Sequence, residues 1–248
     1  MGPIYISKGM SVCIPAGGLK ISSNGESTAT LHVNFDVCPT WLELALHHLR
    51  ECKVRKNERN LAWKGSKEFD QGETLEREFA SSMQVIMSSA IAFDAFYANV
   101  KGKVDLPEDI RETWKKKRTP RYAQIAEVLK RDYALTQDGN KILRTNLKEI
   151  FRFRDMAIHP NSELGEAMWH PELECGVEWR FAYFRYSNAY EVLRETLRML
   201  NFFVNVEKIK NNEVNKYTNT LKVRTQGVMD DFVSEFGSME PVEGQTNA

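Results

Sequence analysis

Residues 73–100 carry the sequence ETLEREFASSMQVIMSSAIAFDAFYANV, which decides the fold class. Apolar side chains recur in this stretch every three or four positions, so they share one face of a single long helix. Gly102 follows where such a helix would end. A stripe of this length needs other elements to cover it, so the sequence predicts a mainly α protein built around this helix. The stripe consists of Leu75, Phe79, Met83, Ile86, Ala90, Phe93 and Tyr97.

The same periodicity recurs on both sides of this core helix. Prolines at 39, 107 and 120 are placed to open helices, because proline suits the first helical turn. A further helix carries an apolar stripe from Leu143 and ends before Pro160, since the residue before a proline is pushed out of the α region. Residues 57–72 are polar and predict a loop, and Asp138-Gly139 predicts a break. The last predicted helices cover about 187–209 and 213–236.

Three other segments of the sequence are predicted to form β-strands and not helices. Residues 28–37 alternate apolar and polar side chains, which is typical of a half-buried strand, and Met10–Ile14 predicts an earlier strand. Val177–Tyr183 alternates in the same way and is expected to pair with 28–37. The expected organisation is a β-strand and helix appendage with a loop over 1–72, a helical bundle over 73–236 and a disordered tail over 237–248. The length of 248 residues also fits two small domains.

Composition narrows the class of protein. The 34 basic and 34 acidic side chains give zero formal net charge, which argues against a protein that coats nucleic acid without regard to sequence. A nuclease needs only a local basic cleft, and basic runs occur at 53–56 and 115–118. The four cysteines show no C-x-x-C spacing and are expected to be reduced. No signal peptide or membrane span is visible, so a cytoplasmic protein without membrane contact is expected.

The helix that ends at Pro160 carries the residues that point to chemistry. Its apolar stripe includes position 154, which is an arginine, and a guanidinium there is costly unless it is paired or lines a wet cleft. Asp155 and His159 are four residues apart and share a helix face. Arg154 and His159 would diverge on a straight helix, but Pro160 unwinds the end and lets His159 turn toward Arg154.

This set of side chains suits RNA cleavage without a metal or another cofactor. The 2′-hydroxyl of RNA attacks the adjacent phosphorus, and a histidine near its ordinary pKa can take or give the proton. Arg154 can offer two parallel donors to the phosphate and stabilise the charge that develops on it. Asp155 can hold the His159 imidazole in one tautomer.

The stretch RDMAIHP at 154–160 resembles the signature of the HEPN superfamily: an arginine, a polar residue, three further residues and a histidine, often followed by proline. The segment SSAIAFDAF at 88–96 resembles the first core helix of such domains. The helix from Ser187, entered through Phe184-Arg185-Tyr186, resembles a later one. The resemblance covers about residues 73–210 and leaves out 1–72 and the C-terminal tail.

This resemblance implies a bundle of antiparallel helices that often dimerises and brings two Arg/His pairs into one cleft. Many such proteins are metal-independent ribonucleases of toxin–antitoxin, phage-defence or RNA-processing systems, so an RNA substrate and an antitoxin or defence partner are implied. Arg154 would bind the scissile phosphate, His159 would be the general acid or base, and Asp155 would be the polar helper. We further expect Asp94 to support the site by pairing with Arg154.

Other functions stay open at this level. The alternative from another class is a non-catalytic HEPN interaction or RNA-binding module in a larger assembly, since the superfamily includes inactive members. A sensor with a small-molecule pocket beside the N-terminal β segment is a third. His47, His48 and Cys52 have helical spacing that suits a metal, but no second ligand pair accompanies them, so a core or surface role is expected.

Overall fold

The computed structural model describes residues 9–65, 67–158 and 165–240. The chain forms a mainly helical fold with a small N-terminal β part, as the sequence predicts. It divides into two compact units, Met1–Val37 and Cys38–Ala248. The boundary between these two units lies at residue 37. The C-terminal end beyond residue 240, which includes most of the predicted tail, lies outside the described residues.

The described residues form short strands first and long helices afterwards. The N-terminal unit contains β1 (Met10–Cys13), β2 (Leu19–Ile21), β3 (Ser27–Ala29) and β4 (His32–Phe35). The second unit contains α1 (Cys38–Ala62), α2 (Glu68–Lys101), α3 (Glu108–Lys117), α4 (Arg121–Asp132), α5 (Gln137–Ile158), β5 (Met168–His170), β6 (Cys175–Val177), α6 (Trp179–Tyr183), α7 (Tyr186–Asn205) and α8 (Asn212–Phe236).

The N-terminal unit consists of two nested antiparallel pairs. β1 pairs with β4, and β2 pairs with β3 inside them. The predicted early strand at Met10–Ile14 is confirmed, whereas the predicted strand over 28–37 is divided into two short ones. That segment is not half-buried as predicted, because Val33 and Phe35 remain 46% and 44% exposed. Its alternation is real, but a two-stranded pair offers no second layer to cover the apolar face.

The bundle begins with the pairing of α1 and α2. Cys52 and Ser82 lie 3.0 Å apart between Sγ and Oγ, and Arg59 bonds to Glu78, so the two helices run antiparallel. The predicted loop over 57–72 is wrong, because α1 continues to Ala62 and α2 already begins at Glu68. Polar side chains in this stretch lie largely on exposed helix faces, which is why composition alone resembled that of a loop.

Aromatic side chains fill the middle of the bundle. Phe93 and Phe96 of α2 pack against Phe203 of α7, with ring centroids 6.3 and 5.6 Å from it. Tyr133, which follows α4, lies 4.8 Å from the Phe203 ring and shares a hydrogen bond with Thr218 of α8 at 2.8 Å. The predicted stripe of α2 is thus confirmed as the core that joins α2, α4, α7 and α8.

The structure differs from two local predictions in the second half of the chain, a strand over 177–183 and a helix break at Asp138-Gly139. Residues 177–183 do not form one strand, because Glu178 accepts the N–H of Arg180 at 2.8 Å and caps the short helix α6. β6 pairs with β5 and not with 28–37. The predicted break between two helices is found, but it lies at 133–136 and not at Asp138-Gly139, since Thr136 Oγ1 accepts the Gly139 N–H at 3.0 Å and α5 starts at Gln137.

One described helix, α2, is long and apolar enough by length and composition to cross a bilayer. Half of its apolar window is buried, and α2 packs extensively against α1 and α7. A core helix of a water-soluble bundle has this same pattern, because its apolar face is covered by protein.

Candidate functional site

Arg154 lies near the end of α5, on the apolar stripe that is predicted for this helix. Leu143, Leu147 and Ile150 of that stripe are buried, as expected, whereas Ile158 at its end is 48% exposed and was wrongly expected to be buried. Arg154 departs from them, because 23% of its side chain is exposed. The carbon Cζ of its guanidinium lies 4.5 Å from the centroid of the Phe151 ring, so the charged group stacks on this ring and is only partly exposed.

The exposed edge of Arg154 lines a cleft between the start of α4 and the end of α5, with a volume of about 540 Å³. This is the size range of pockets that hold nucleotide-sized molecules. Four basic side chains and one acidic side chain line it, so basic groups outnumber acidic ones there although the whole chain is neutral. Three of the four cations, Arg121, Arg152 and Arg154, pair with a carboxylate. Its charged residues are Arg121, Lys148, Arg152, Arg154 and Asp155, and its other walls are Pro120, Tyr122, Phe151 and Met156.

Asp155 is the ion-pair partner of Arg154. One carboxylate oxygen, Oδ1, accepts from Arg154 Nε at 3.0 Å and from Nη2 at 2.6 Å. The Asp155 side chain is 53% exposed, and ion pairs that are exposed to this degree contribute only about 0.2–1 kcal/mol. A phosphate, which accepts bidentate donors from arginine, can therefore take the place of this carboxylate at little cost.

The expected pairing of Asp94 with Arg154 is not found. Asp94 Oδ1 instead accepts from Arg121 Nε at 2.6 Å, and the Arg121 guanidinium stacks 4.3 Å from the Tyr97 ring centroid. Arg121 opens α4 and is nearer to the Asp94 turn of α2, so it takes the carboxylate. Because Arg121 lines the cleft, Asp94 supports the wall of the site through Arg121 and not through Arg154.

His159 and Pro160 lie outside the described residues, as do 161–164. The described part of α5 ends at Ile158, and His159 is the next residue in the sequence. The convergence of the Arg154 and His159 side chains, and the contact of Asp155 with His159, remain predictions from the sequence.

A row of basic side chains on α5 was missed at the level of sequence. Lys141, Arg144, Lys148 and Arg152, here called the basic stripe, follow one another at steps of three, four and four residues. Such steps place them on one helix face, and all four are exposed. Arg152 pairs with Glu149 at 2.9 Å, while the other three have no ion pair within the described ranges. Their spacing is visible in the sequence as a helical repeat of basic residues, which consecutive runs of charge do not show.

A second polar cluster is buried at the far end of α1. Arg59 is fully buried and bonds to Glu78 of α2, which is 1% exposed, and to Glu172 Oε2 at 2.8 Å in the turn between β5 and β6. Glu78 Oε1 also accepts the backbone N–H of Tyr186 at 3.0 Å. The cluster fastens the β5–β6 hairpin, the first described element after His159, to the α1–α2 pair. Arg59 and Glu78 occupy apolar positions of their helices, seven residues after Cys52 and three after Leu75.

His170 sits in this hairpin and is fully buried. Its Nδ1 accepts the backbone N–H groups of Glu172 and Leu173 at 3.2 Å each, so Nε2 carries the proton of the neutral ring. Burial, helped by the charge of nearby Arg59, lowers the pKa of His170 from 6.5 to about 4. Among the described atoms, His170 Nε2 and Arg59 Nη1 have no hydrogen-bond partner.

The buried imidazole makes stability depend on pH. The unfolded chain protonates this histidine near pH 6.5, whereas the folded chain does so only near pH 4, so acidification over this range favours unfolding. We expect the free energy of unfolding of the wild type to fall more steeply between pH 6.5 and 4 than that of His170→Asn. The asparagine oxygen can replace Nδ1 as acceptor but does not titrate. Urea titrations at several pH values test this, and parallel pH profiles for the two proteins would show that His170 is not responsible.

The candidate metal ligands His47, His48 and Cys52 lie in α1 and contact other side chains. Cys52 contacts Ser82, and its buried thiol has a raised pKa because burial disfavours the thiolate. His47 and His48 contact one another edge to face at 5.3 Å. Within the described ranges, no group of three or more histidine, cysteine or acidic side chains is placed to hold a metal ion.

Comparison with known proteins adds no family assignment. No protein-family model, no curated protein and no solved structure matches the chain. The site is therefore defined by its own residues: a basic cleft that presents Arg154 and Asp155 at the end of α5, next to the segment with His159.

Proposed function

We propose that the protein is a metal-independent endoribonuclease of HEPN type, with its active site in the cleft at the end of α5. The observation that carries the proposal is the position of Arg154. It stands on the buried stripe of its helix, yet it opens into a cleft that it shares with three other cations. A guanidinium with an exposed edge and a weakly held carboxylate partner is available to a phosphate.

The roles follow from the chemistry of each side chain. Arg154 binds the scissile phosphate and stabilises the negative charge that builds up on its oxygens. His159 takes the proton of the 2′-hydroxyl while the bond from O2′ to phosphorus forms. The bond from phosphorus to the 5′ oxygen then breaks, and that oxygen leaves with a proton from an acid in the cleft. The products carry a 2′,3′-cyclic phosphate and a 5′-hydroxyl.

The resemblance of RDMAIHP to the HEPN signature supports this assignment and also supports a homodimer. A dimer would bring a second histidine to the cleft, which supplies the acid for the leaving oxygen. The same resemblance favours a cytoplasmic toxin or phage-defence effector, with an antitoxin or another defence component as its partner. A non-catalytic RNA-binding module is the alternative, and the basic character of the cleft is compatible with it.

The test is RNA cleavage by purified protein in the presence of a chelator. We expect wild-type protein to cut a mixed-sequence RNA, and His159→Ala to lose about 100- to 10,000-fold in rate because the proton transfer loses its acid or base. His47→Ala is the matched control, since it removes a histidine from α1 and not from the cleft. Full activity of His159→Ala would remove His159 from the mechanism, and a requirement for a divalent ion would exclude the metal-independent route.

A further inference from the structure

The basic stripe on α5 leads directly into the candidate active site. Lys148 and Arg152 line the cleft together with Arg154, while Arg144 and Lys141 continue along the same face toward the start of the helix. Lys141 and Arg152 are 11 helical steps apart, which corresponds to about 16 Å at 1.5 Å per residue. It therefore extends the positive surface of the cleft in one direction along α5.

The charges of this stripe are largely unneutralised. Within the described residues, ion pairs compensate Arg121, Arg152 and Arg154 of the cleft, each through one carboxylate. Lys141, Arg144 and Lys148 have no such partner there. Three successive exposed cations on one helix face repel one another unless an external polyanion lies along them. Because they are spaced by about one helical turn, each can meet a separate phosphate of an extended strand.

An aromatic side chain lies beside the same track. Tyr122 lines the cleft, and the Arg144 guanidinium lies 5.9 Å from its ring centroid. A half-buried tyrosine at the edge of a positive groove can stack an unpaired base, a contact that is blocked when the base is inside a duplex.

We infer that the basic stripe and Tyr122 form a binding track for single-stranded RNA, which holds about three phosphates on one side of the scissile one. This inference rests on the proposed function, because it takes the Arg154 cleft as the place of cleavage. It adds a substrate class: an unpaired strand that extends several nucleotides from the cut toward the N-terminal end of α5. A short oligonucleotide that ends at the cleft would miss these contacts.

The experiment measures RNA binding separately from cleavage. His159→Ala protein would be titrated with fluorescent single-stranded RNA of two and of eight nucleotides, over a range of salt concentrations. The stripe variant is Lys141→Gln/Arg144→Gln/Lys148→Gln. Its matched control, Arg77→Gln/Lys216→Gln/Lys222→Gln, removes the same charges from exposed positions on α2 and α8.

We expect the stripe variant to bind the eight-nucleotide RNA at least about tenfold more weakly, with a log–log salt slope lower by about 2, since each phosphate contact on a single strand contributes about 0.7. The control variant should match the parent. Tyr122→Ala should weaken binding of the single strand but not of a duplex. Three results would each contradict the proposed track: RNA binding that is weakened equally in the control variant, RNA binding that is unchanged in the stripe variant, or duplex RNA that binds the stripe as tightly as single-stranded RNA. If the stripe variant loses RNA binding but wild-type protein cuts no RNA, the binding track is supported and the proposed nuclease activity is rejected.

Discussion

Replacement of Arg154 by alanine should lower kcat/KM for RNA cleavage by about 100- to 1000-fold, the usual effect of removing one donor that stabilises transition-state charge. Arg154→Lys should recover only part of this loss, because an ammonium group keeps the charge but not the two parallel donors. The free energy of unfolding should fall by at most about 2 kcal/mol, because the contact of Arg154 with the Phe151 ring is worth about 0.5–1 kcal/mol. Arg154 is partly exposed, and its pair with Asp155 is worth about 0.2–1 kcal/mol.

The matched control for this prediction is Arg131→Ala. Arg131 also pairs with a carboxylate of its own helix, Glu127 at 2.9 Å, but it does not line the cleft. Steady-state cleavage kinetics and urea unfolding would be measured for all three variants. An Arg154→Ala protein that keeps nearly wild-type kcat/KM would show that the cleft is not the site of cleavage.

Replacement of Glu78 by alanine should cost about 3–5 kcal/mol of the free energy of unfolding, because it leaves the fully buried Arg59 without its main counter-charge. It also removes the acceptor of the Tyr186 N–H at the start of α7. The double variant Arg59→Met/Glu78→Leu should recover part of the loss, since an apolar pair of similar volume can replace a buried ion pair but not the acceptor of the Tyr186 N–H.

Glu73→Ala is the control for this second prediction. Glu73 pairs with Arg77 on the same helix, but both side chains are about half exposed, so the expected loss is at most about 1 kcal/mol. Chemical denaturation gives all four values. A loss for Glu78→Ala no larger than that for Glu73→Ala would mean that the buried cluster does not hold the hairpin to α1 and α2.

Much of the helical fold was predictable because the repeat of apolar residues that indicates a helix lies within the sequence of that helix. The stripe of α2 repeats every three or four residues and identifies the buried face of that helix without knowledge of its partners. Residues 57–72 and 177–183 show the limit of that reasoning. Their conformation depends on contacts with distant residues: the bond of Arg59 to Glu78, and the packing of Phe181 against Phe79 at 5.7 Å. Neither contact is visible in the composition of the segment itself.

The candidate site was predictable in part for the same reason. A charged residue on an apolar stripe identified Arg154, and the same criterion applied to α1 and α2 would have found Arg59 and Glu78. The partner of Asp94 could not be found in this way. The partner of Asp94 depends on how α4 packs against α2, because this packing brings Arg121 to Asp94. Spacing along a single helix does not reveal it.

The measurement that tests the central claim most directly is cleavage of an oligoribonucleotide in which a single ribose lacks its 2′-hydroxyl. With chelator present, we predict that wild-type protein cuts the all-ribose strand to a 2′,3′-cyclic phosphate and a 5′-hydroxyl, and leaves the linkage after the deoxyribose intact. Cleavage at that linkage, products with a 5′-phosphate, or no cleavage of any strand by folded protein would contradict the account.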